Sequence, residues 1–227
     1  MKKQNSLLPT TNTNFVNPET GELTIKYRPG YPRSYRFDAS KGQYNLNGEI
    51  TLTKKGESIS FIPIAHRLFR DDILGYGLKA WAEFFFLNEE GHLCSLLFHG
   101  YSVENLSKKT NELFYDSVNL SQVILTATPV EKVKSSGEGK GNKYFIAEFS
   151  YKVLDEKQQA EVKQIGESLN IWRAETLTGD ASVELSINYT PPIQQLNGTG
   201  SAEAIEEAKK EGKVTNIKND LETEAAA

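Results

Sequence analysis

The chain has 227 residues, of which 38% are hydrophobic and 25% charged, and its formal net charge is −4. These figures suit one globular domain with an appendage and exclude a chain that is disordered throughout. The single cysteine, Cys94, excludes an internal disulfide and a four-cysteine zinc site. The sequence has neither an apolar run long enough to cross a membrane nor a signal-peptide h-region, so we expect a cytoplasmic protein without membrane contacts.

Charge is distributed unevenly along the chain. Residues 1–43 contain seven basic and three acidic residues, whereas residues 197–227 contain four basic and seven acidic ones. The net charge is therefore a poor guide to what the protein binds, because a basic beginning and an acidic end screen each other.

The first half of the chain predicts short strands. Residues 1–21 are rich in Asn, Thr and Pro, and we interpret them as a flexible arm. From residue 22 to 64, apolar and polar residues alternate as in strands, with a turn predicted at Asn47-Gly48. Residues 80–98 form two apolar stretches separated by Asn88–Gly91, which predicts a buried hairpin. A helix is predicted after Tyr101, with Ser102 as its cap.

The second half predicts a second hairpin and a second helix. Strands are expected at Val118–Val130 and Tyr144–Val153, joined by a glycine- and lysine-rich loop. Asp155 is a candidate cap for a helix whose apolar residues recur at helical spacing; they are Val162, Ile165, Leu169 and Trp172. A last strand is expected at Ser182–Tyr189.

The fold class follows from these elements. We predict a mainly β protein, an antiparallel sheet or small β-barrel with two helices. Its expected domains are the arm, residues 1–21, a body, residues 22–195, and a disordered acidic tail, residues 196–227, in which bulky apolar residues are few.

Several kinds of chemistry are poorly supported. Residues 135–141 lack the first glycine and the Ser or Thr of a phosphate-binding P-loop. His92, Cys94 and His99 could form a three-ligand metal set, but Cys94 is better explained as a core residue, and we expect no metal and no cofactor. Asp71 and Asp72 could hold a divalent ion, although such a pair is more often a solvated turn.

The densest functional signal is Lys26–Phe37, in which twelve residues include four cations, four aromatics and no acid. Single-stranded nucleic acid requires this mixture, since phosphates attract Lys and Arg while unstacked bases stack on aromatic rings. The alternative is that Tyr35 and Phe37 alternate as core residues. Trp81 is a further candidate platform, and the lysines of the glycine-rich loop could hold phosphates. The candidate nucleic-acid-binding residues are Tyr27, Arg28, Tyr31, Arg33, Tyr35, Arg36, Phe37, Trp81, Lys132, Lys134, Lys140 and Lys143.

In organisation and size, the chain resembles single-stranded DNA-binding proteins, especially the phage-encoded kind. That resemblance implies an OB-fold body with aromatic and basic residues on one face, followed by an acidic tail that recruits replication proteins. The sequence departs from the bacterial family because the tail contains four lysines and ends in Glu224-Ala-Ala-Ala227, without an aromatic tip.

Three functions are compatible with these sequence features. The leading hypothesis is a non-enzymatic protein that coats single-stranded DNA, or alternatively RNA, during phage or plasmid replication and recombination, with homo-oligomers as a further expectation. The first rival is a structural or assembly protein of a virion or scaffold. The second is a metal-dependent nuclease that uses Asp71, Asp72 and a glutamate.

Overall fold

The computed structural model describes residues 7–15, 17, 19–75, 77–137, 139–174 and 181–192. The chain divides into one unit covering Met1–Pro191 and another covering Pro192–Ala227, and the description below concerns the first unit. The predicted tail, residues 196–227, lies outside the described residues.

The described chain is mainly β, as the sequence predicts. Ten strands are present: β1 Arg33–Asp38, β2 Gln43–Leu46, β3 Ile50–Thr51, β4 Ile59–Phe61, β5 Ala65–Asp71, β6 Lys79–Leu87, β7 Leu93–His99, β8 Val123–Val133, β9 Lys143–Val153 and β10 Ser182–Ile187. Two α-helices, α1 Tyr101–Tyr115 and α2 Glu156–Ser168, and a short 3₁₀ helix, Leu120–Gln122, complete the fold.

The strands form two sheets. The larger has seven strands in the order β10-β5-β6-β7-β1-β2-β3, and the smaller has three in the order β4-β8-β9. All strand pairs are antiparallel except β1 and β7, which run parallel with Tyr35 opposite Leu96. This parallel contact places the N-terminal strand beside the central hairpin.

The order of elements from β4 to β9 is that of an OB-fold barrel. The chain passes from β4 in the small sheet directly into β5 in the large sheet, and α1 then connects β7 to β8. Strand β1 lies between the third and fifth barrel strands, and the Phe145 amide of β9 donates to the carbonyl of Ala39, just after β1, at 2.7 Å. The fold is therefore compatible with the predicted barrel-like body.

Two hydrophobic cores lie on opposite faces of the large sheet. Phe84 and Phe86 belong to the first core, which is shared with the small sheet and α1. Phe85, between them, belongs to the second core, where Val162 and Ile165 of α2 pack. Consecutive strand residues point to opposite faces, so three successive phenylalanines join both cores.

Local chemistry places several turns and caps as predicted. Asn47 and Gly48 both have positive φ, 55° and 82°, which suits the tight turn between β2 and β3. The side chain of Asp155 accepts a hydrogen bond from the Gln158 backbone amide, and the Gln158 side chain accepts one from the Asp155 backbone amide, forming a capping box at α2.

Three local expectations differ from the structure. Residues 22–27 form no continuous strand; Leu23 and Lys26 are isolated bridge residues, and Lys26 pairs with His92. Helix α1 is preceded by Gly100 without a side-chain cap, because the Ser102 hydroxyl instead accepts a hydrogen bond from the Ala147 amide. Part of the expected arm packs on the body, since Phe15 is buried in the second core. No helix within the described ranges is long and apolar enough to span a membrane.

Candidate nucleic-acid interface

A groove opens on the outer face of β6 and β7, at the end where the β5–β6 loop overhangs the sheet. Its first part is a cavity of about 420 Å³. The walls are formed by the loop residues Ile73 and Leu74 and by side chains of three adjacent strands. The remaining lining residues are Ser34, Tyr35, Arg36, Phe37, Trp81, Leu97, His99 and Arg173.

Trp81 and His99 form the aromatic part of this groove. They lie directly opposite each other in the β6–β7 pairing. The Trp81 ring is only 4% exposed, and its Nε1 donates to the Asp71 carbonyl at 3.0 Å. His99 is exposed, and partial burial together with the nearby Lys79 charge lowers the pKa of its imidazole. At neutral pH the groove therefore contains the accessible, uncharged ring of His99, which packs against the Trp81 indole.

The groove continues toward the start of β9. A second cavity of about 140 Å³ shares Phe37, Leu97 and His99 with the first, so the two adjoin. Tyr101, at the beginning of α1, and Tyr144, at the beginning of β9, add two more aromatic side chains. The combined groove thus runs from the β5–β6 loop to the strand that follows the β8–β9 loop.

One cation, Arg36, lines the first cavity. Arg36 lies on the outer face of β1 and is exposed. Its Nη1 passes close to Gly48, where an added Cβ would approach it to 3.3 Å. Arg36 makes no ion pair with any residue in the described part of the chain, which leaves its guanidinium available to a phosphate.

The sheet below the groove contains a buried ionic network. Glu83 accepts hydrogen bonds from Arg67 Nε at 2.7 Å and from Arg173 Nη1 at 3.1 Å. Arg173 also donates to the hydroxyls of Ser95 at 2.9 Å and Ser34 at 3.1 Å. Because Arg173 lines the cavity as well, this network fixes the groove floor to β1, β5, β6 and β7.

The orientation of strand β1 differs from the one that the stacking hypothesis requires. Arg33, Tyr35 and Phe37 share a face, as alternation predicts, but Tyr35 is buried in the first core. Phe37 is half-buried, packs against that core and also lines the groove. Tyr35 is 1% exposed, its ring meets Phe86 edge-on at 5.3 Å, and its hydroxyl donates to the Leu7 carbonyl. Tyr35 is therefore too buried for a base to stack on its ring. Trp81 contributes only by packing against the His99 ring. The outer face of β1 carries Arg36 instead.

The turn before β1 forms a separate surface. The Tyr27 hydroxyl donates to the Trp172 carbonyl at 2.9 Å and accepts from the Gly30 amide at 2.9 Å. Arg28 lies over the exposed Tyr31 ring, with 4.6 Å from its guanidinium carbon to the ring centroid. Tyr27 therefore anchors the turn, whereas Arg28 and Tyr31 remain at the surface.

The predicted loop lysines are partly neutralised. Lys132 pairs with Glu148 at 3.2 Å, and Lys143 pairs with Glu131 at 2.7 Å. Lys134 and Lys140 are exposed in the loop itself. Arg33, at the start of β1, lies 3.5 Å from Glu90, so it too is partly compensated.

The candidate metal ligands are separated in the structure. His92 and His99 lie before and at the end of β7, while Cys94 is buried between them. Asp71 is completely buried. Among the described residues, no group of three or more His, Cys, Asp or Glu side chains is arranged to hold a metal ion.

Sequence reasoning missed His99, Tyr101 and Arg173 as groove residues. The first two flank Gly100, whose φ of 59° lets the chain turn from β7 into α1. In the sequence they appear as two aromatic residues on either side of a glycine, His99-Gly100-Tyr101. This pattern indicates a binding surface only when the positions of the flanking strand and helix are known. No protein-family model, curated protein or solved structure matches this chain.

Proposed function

We propose that this protein binds single-stranded DNA without enzymatic activity. The observation that carries the proposal is the groove on the outer face of β6 and β7, which is lined by the aromatic side chains of His99 and Tyr101 and, in its first part, by Arg36. These strands are the second and third of the OB-like barrel. OB-folds bind oligonucleotides on that face, between the loop joining strands 1 and 2 and the loop joining strands 4 and 5.

The groove favours an unpaired strand over a duplex. The rings lie between the β5–β6 loop and the start of β9, so a single strand that follows the groove can place the faces of its bases on them. Unstacked bases gain about 1–3 kcal/mol each on aromatic side chains. In a duplex, the bases are already stacked and present their edges rather than their faces.

Phosphate contacts come from a limited set of cations. Arg36 is the best placed, and the exposed Lys140 belongs to the β8–β9 loop at the other end of the groove. Because Lys132 and Lys143 are already paired with glutamates, we expect fewer phosphate contacts than the number of basic residues suggests. Binding should still weaken with salt, since each phosphate contact releases counterions.

The biological role proposed with this activity is the coating of single strands during DNA replication or recombination, with RNA as the alternative ligand. The resemblance in organisation to phage-encoded single-stranded DNA-binding proteins supports that role. The suggested recruitment of replication proteins by residues 196–227 remains part of this proposal.

The test is fluorescence anisotropy with a labelled single strand of about 30 nucleotides and a matched duplex. Titrations at about 50 and 200 mM salt measure the counterion contribution. We expect tight, salt-sensitive binding to the single strand and much weaker binding to the duplex. Equal affinity for both, or no binding at the lower salt, would refute the proposal. An RNA strand of the same sequence distinguishes the two ligands.

A further inference from the structure

The first cavity of the groove is lined by two arginines and by no acid. Arg36 and Arg173 both line this space of about 420 Å³. Among the described residues that line it, none is an aspartate or a glutamate. A cleft lined by charges of one sign concentrates ligands of the opposite charge. The cavity therefore favours an anion.

Arg173 is fixed in place but keeps donors for a ligand. An arginine carries five N–H groups. Three of them are paired in the described chain: Nη1 donates to Glu83 and Ser95, and Nη2 donates to Ser34. The Nε atom makes no hydrogen bond with the described residues, yet it is not one of the buried polar atoms that lack a partner. This nitrogen is therefore accessible, in agreement with the 9% exposure of the side chain.

The carboxylate that compensates Arg173 is shared with another arginine. Glu83 lies 3.1 Å from Arg173 Nη1 and also accepts a hydrogen bond from Arg67 Nε at 2.7 Å. Taking a charge out of water is costly unless it is well paired. Because Glu83 divides its charge between two guanidinium groups, an anion that enters the cavity would stabilise Arg173 further.

Strand β1 brings the two arginines to the same space. Arg173 Nη2 donates to Ser34 Oγ at 3.1 Å. Ser34 and Arg36 are two residues apart on the outer face of β1, so their Cα atoms are about 6.6 Å apart. The Ser34 hydroxyl accepts from Arg173 and can still donate its own proton. Two guanidinium groups and a hydroxyl thus border one cavity, and guanidinium groups suit the geometry of phosphate.

The wall of the cavity that belongs to the β5–β6 loop is apolar. It is formed by Ile73 and Leu74. A nucleic-acid backbone that continued past them would place charged phosphates against apolar side chains, which is unfavourable. The cavity therefore suits the end of a strand better than its middle. A terminal phosphate monoester carries a charge of about −1.5 to −2 and three acceptor oxygens, which matches two arginines better than a singly charged internal phosphate does.

We propose that this cavity binds the terminal phosphate of a single strand, which accepts hydrogen bonds from Arg36, Arg173 and Ser34. The rest of the strand then follows the groove past His99 toward Tyr101. The inference rests on the proposed single-strand binding and adds to it a preference for phosphorylated strand ends.

The experiment compares three forms of one internally labelled strand of about 12 nucleotides, the site size of one OB fold. One form has a 5′-phosphate, one has a 3′-phosphate, and one has hydroxyls at both ends. Fluorescence anisotropy with the full chain gives the three affinities. We expect the phosphate at one end to tighten binding about tenfold or more, as a hydrogen bond to a charged group does. The phosphate at the other end should have a much smaller effect, because a strand has a direction.

The outcomes separate this inference from the proposed function. Equal affinities of the three strands would overturn the inference and leave single-strand binding intact. Equal gains from the two phosphates would also overturn it, because they would reflect general charge attraction. No binding of any strand would refute the inference and the proposed function together.

Variants locate the phosphate. Arg36→Gln, at an exposed position, should remove most of the preference for the phosphorylated strand, and an unchanged preference would overturn the inference. Arg173→Gln should have the same effect, with circular dichroism as the check on folding; if this variant unfolds, Arg36→Gln decides. Arg70→Gln is the matched control. Arg70 follows Phe69, the partner of Trp81, so it points to the face of the sheet opposite the groove, and its variant should keep the preference.

Discussion

Trp81 and His99 face each other across the β6–β7 pairing, with ring centroids 4.9 Å apart and ring planes inclined by 45°. The indole is held by the Asp71 carbonyl, so it supports the imidazole from one side. A ring that is braced in this way loses little conformational entropy when a ligand stacks on it, which favours binding.

We expect His99→Ala to weaken single-strand binding by roughly 5- to 150-fold, because stacking of one base contributes about 1–3 kcal/mol. The measurement is anisotropy with a strand of about 12 nucleotides, which matches the site size of one OB fold. His99 is exposed, so the variant should fold normally.

Tyr115→Ser is the control for this measurement. Tyr115 is exposed like His99 but lies at the far end of α1, about 20 Å from its start at 1.5 Å per residue. It should leave short-strand affinity unchanged. Equal losses in both variants would show that stacking in the groove is not responsible.

Arg36→Ala should make single-strand binding less sensitive to salt. Each phosphate contact contributes about 0.7 to the slope of log affinity against log salt for single strands, so losing one contact should reduce that slope by about 0.7. Arg33→Ala on the same strand is the matched control, because Arg33 is partly compensated by Glu90. An unchanged slope for Arg36→Ala would remove this residue from the interface.

Glu83→Gln should destabilise the fold strongly. The substitution leaves Arg67 and Arg173 without the carboxylate that they share. Breaking a buried ion pair by removing one partner costs about 3–5 kcal/mol. Urea denaturation gives the free energy of unfolding directly. Glu184→Gln removes a solvent-exposed pair with Arg70 and should cost at most about 1 kcal/mol; similar losses in both variants would contradict this interpretation.

His66 should make stability depend on acidity. The unfolded chain protonates this histidine near pH 6.5, whereas the folded protein requires a pH near 4 because the imidazole is buried. Unfolding therefore takes up a proton between these values, and the free energy of unfolding should fall as the pH drops from 6.5 toward 4, by up to about 3 kcal/mol.

The corresponding control is His66→Phe, measured by urea denaturation at several pH values. His92 and His99 also have lowered pKa values and remain in the variant, so the difference between the two proteins isolates His66. Parallel pH profiles for the two proteins would contradict the expected contribution.

Short-range chemistry explains which elements could be predicted from the sequence. The turn at Asn47-Gly48, the hairpin around Asn88–Gly91 and the capping box of Asp155 each depend on neighbouring residues alone. The alternation of polar and apolar residues in β1 is equally visible in the sequence. Alternation alone does not show which face of a strand is buried, because the apolar residues have the same spacing whichever face points inward. The pairing of β1 with β7, which places Leu96 beside Tyr35, determines which face is buried.

The groove depends on contacts between distant parts of the chain. Arg36, His99 and Arg173 come from β1, the end of β7 and a segment after α2, and no local pattern relates them. The apolar alternation of Leu23, Ile25 and Tyr27 likewise predicted a strand. Those side chains pack against the second core, but the backbone pairs with its neighbours only at isolated positions, such as Lys26 with Gly91 and Leu93.

The parallel pairing of β1 with β7 has a consequence for synthesis on the ribosome. The partner strand is completed about sixty residues after β1, which corresponds to roughly 3–12 s at ordinary elongation rates. During that interval Tyr35 and Phe37 belong to a nascent segment whose sheet neighbour has not yet been made. Strand β2 follows immediately and pairs with β1, so a local hairpin can shelter these rings until the barrel closes around them.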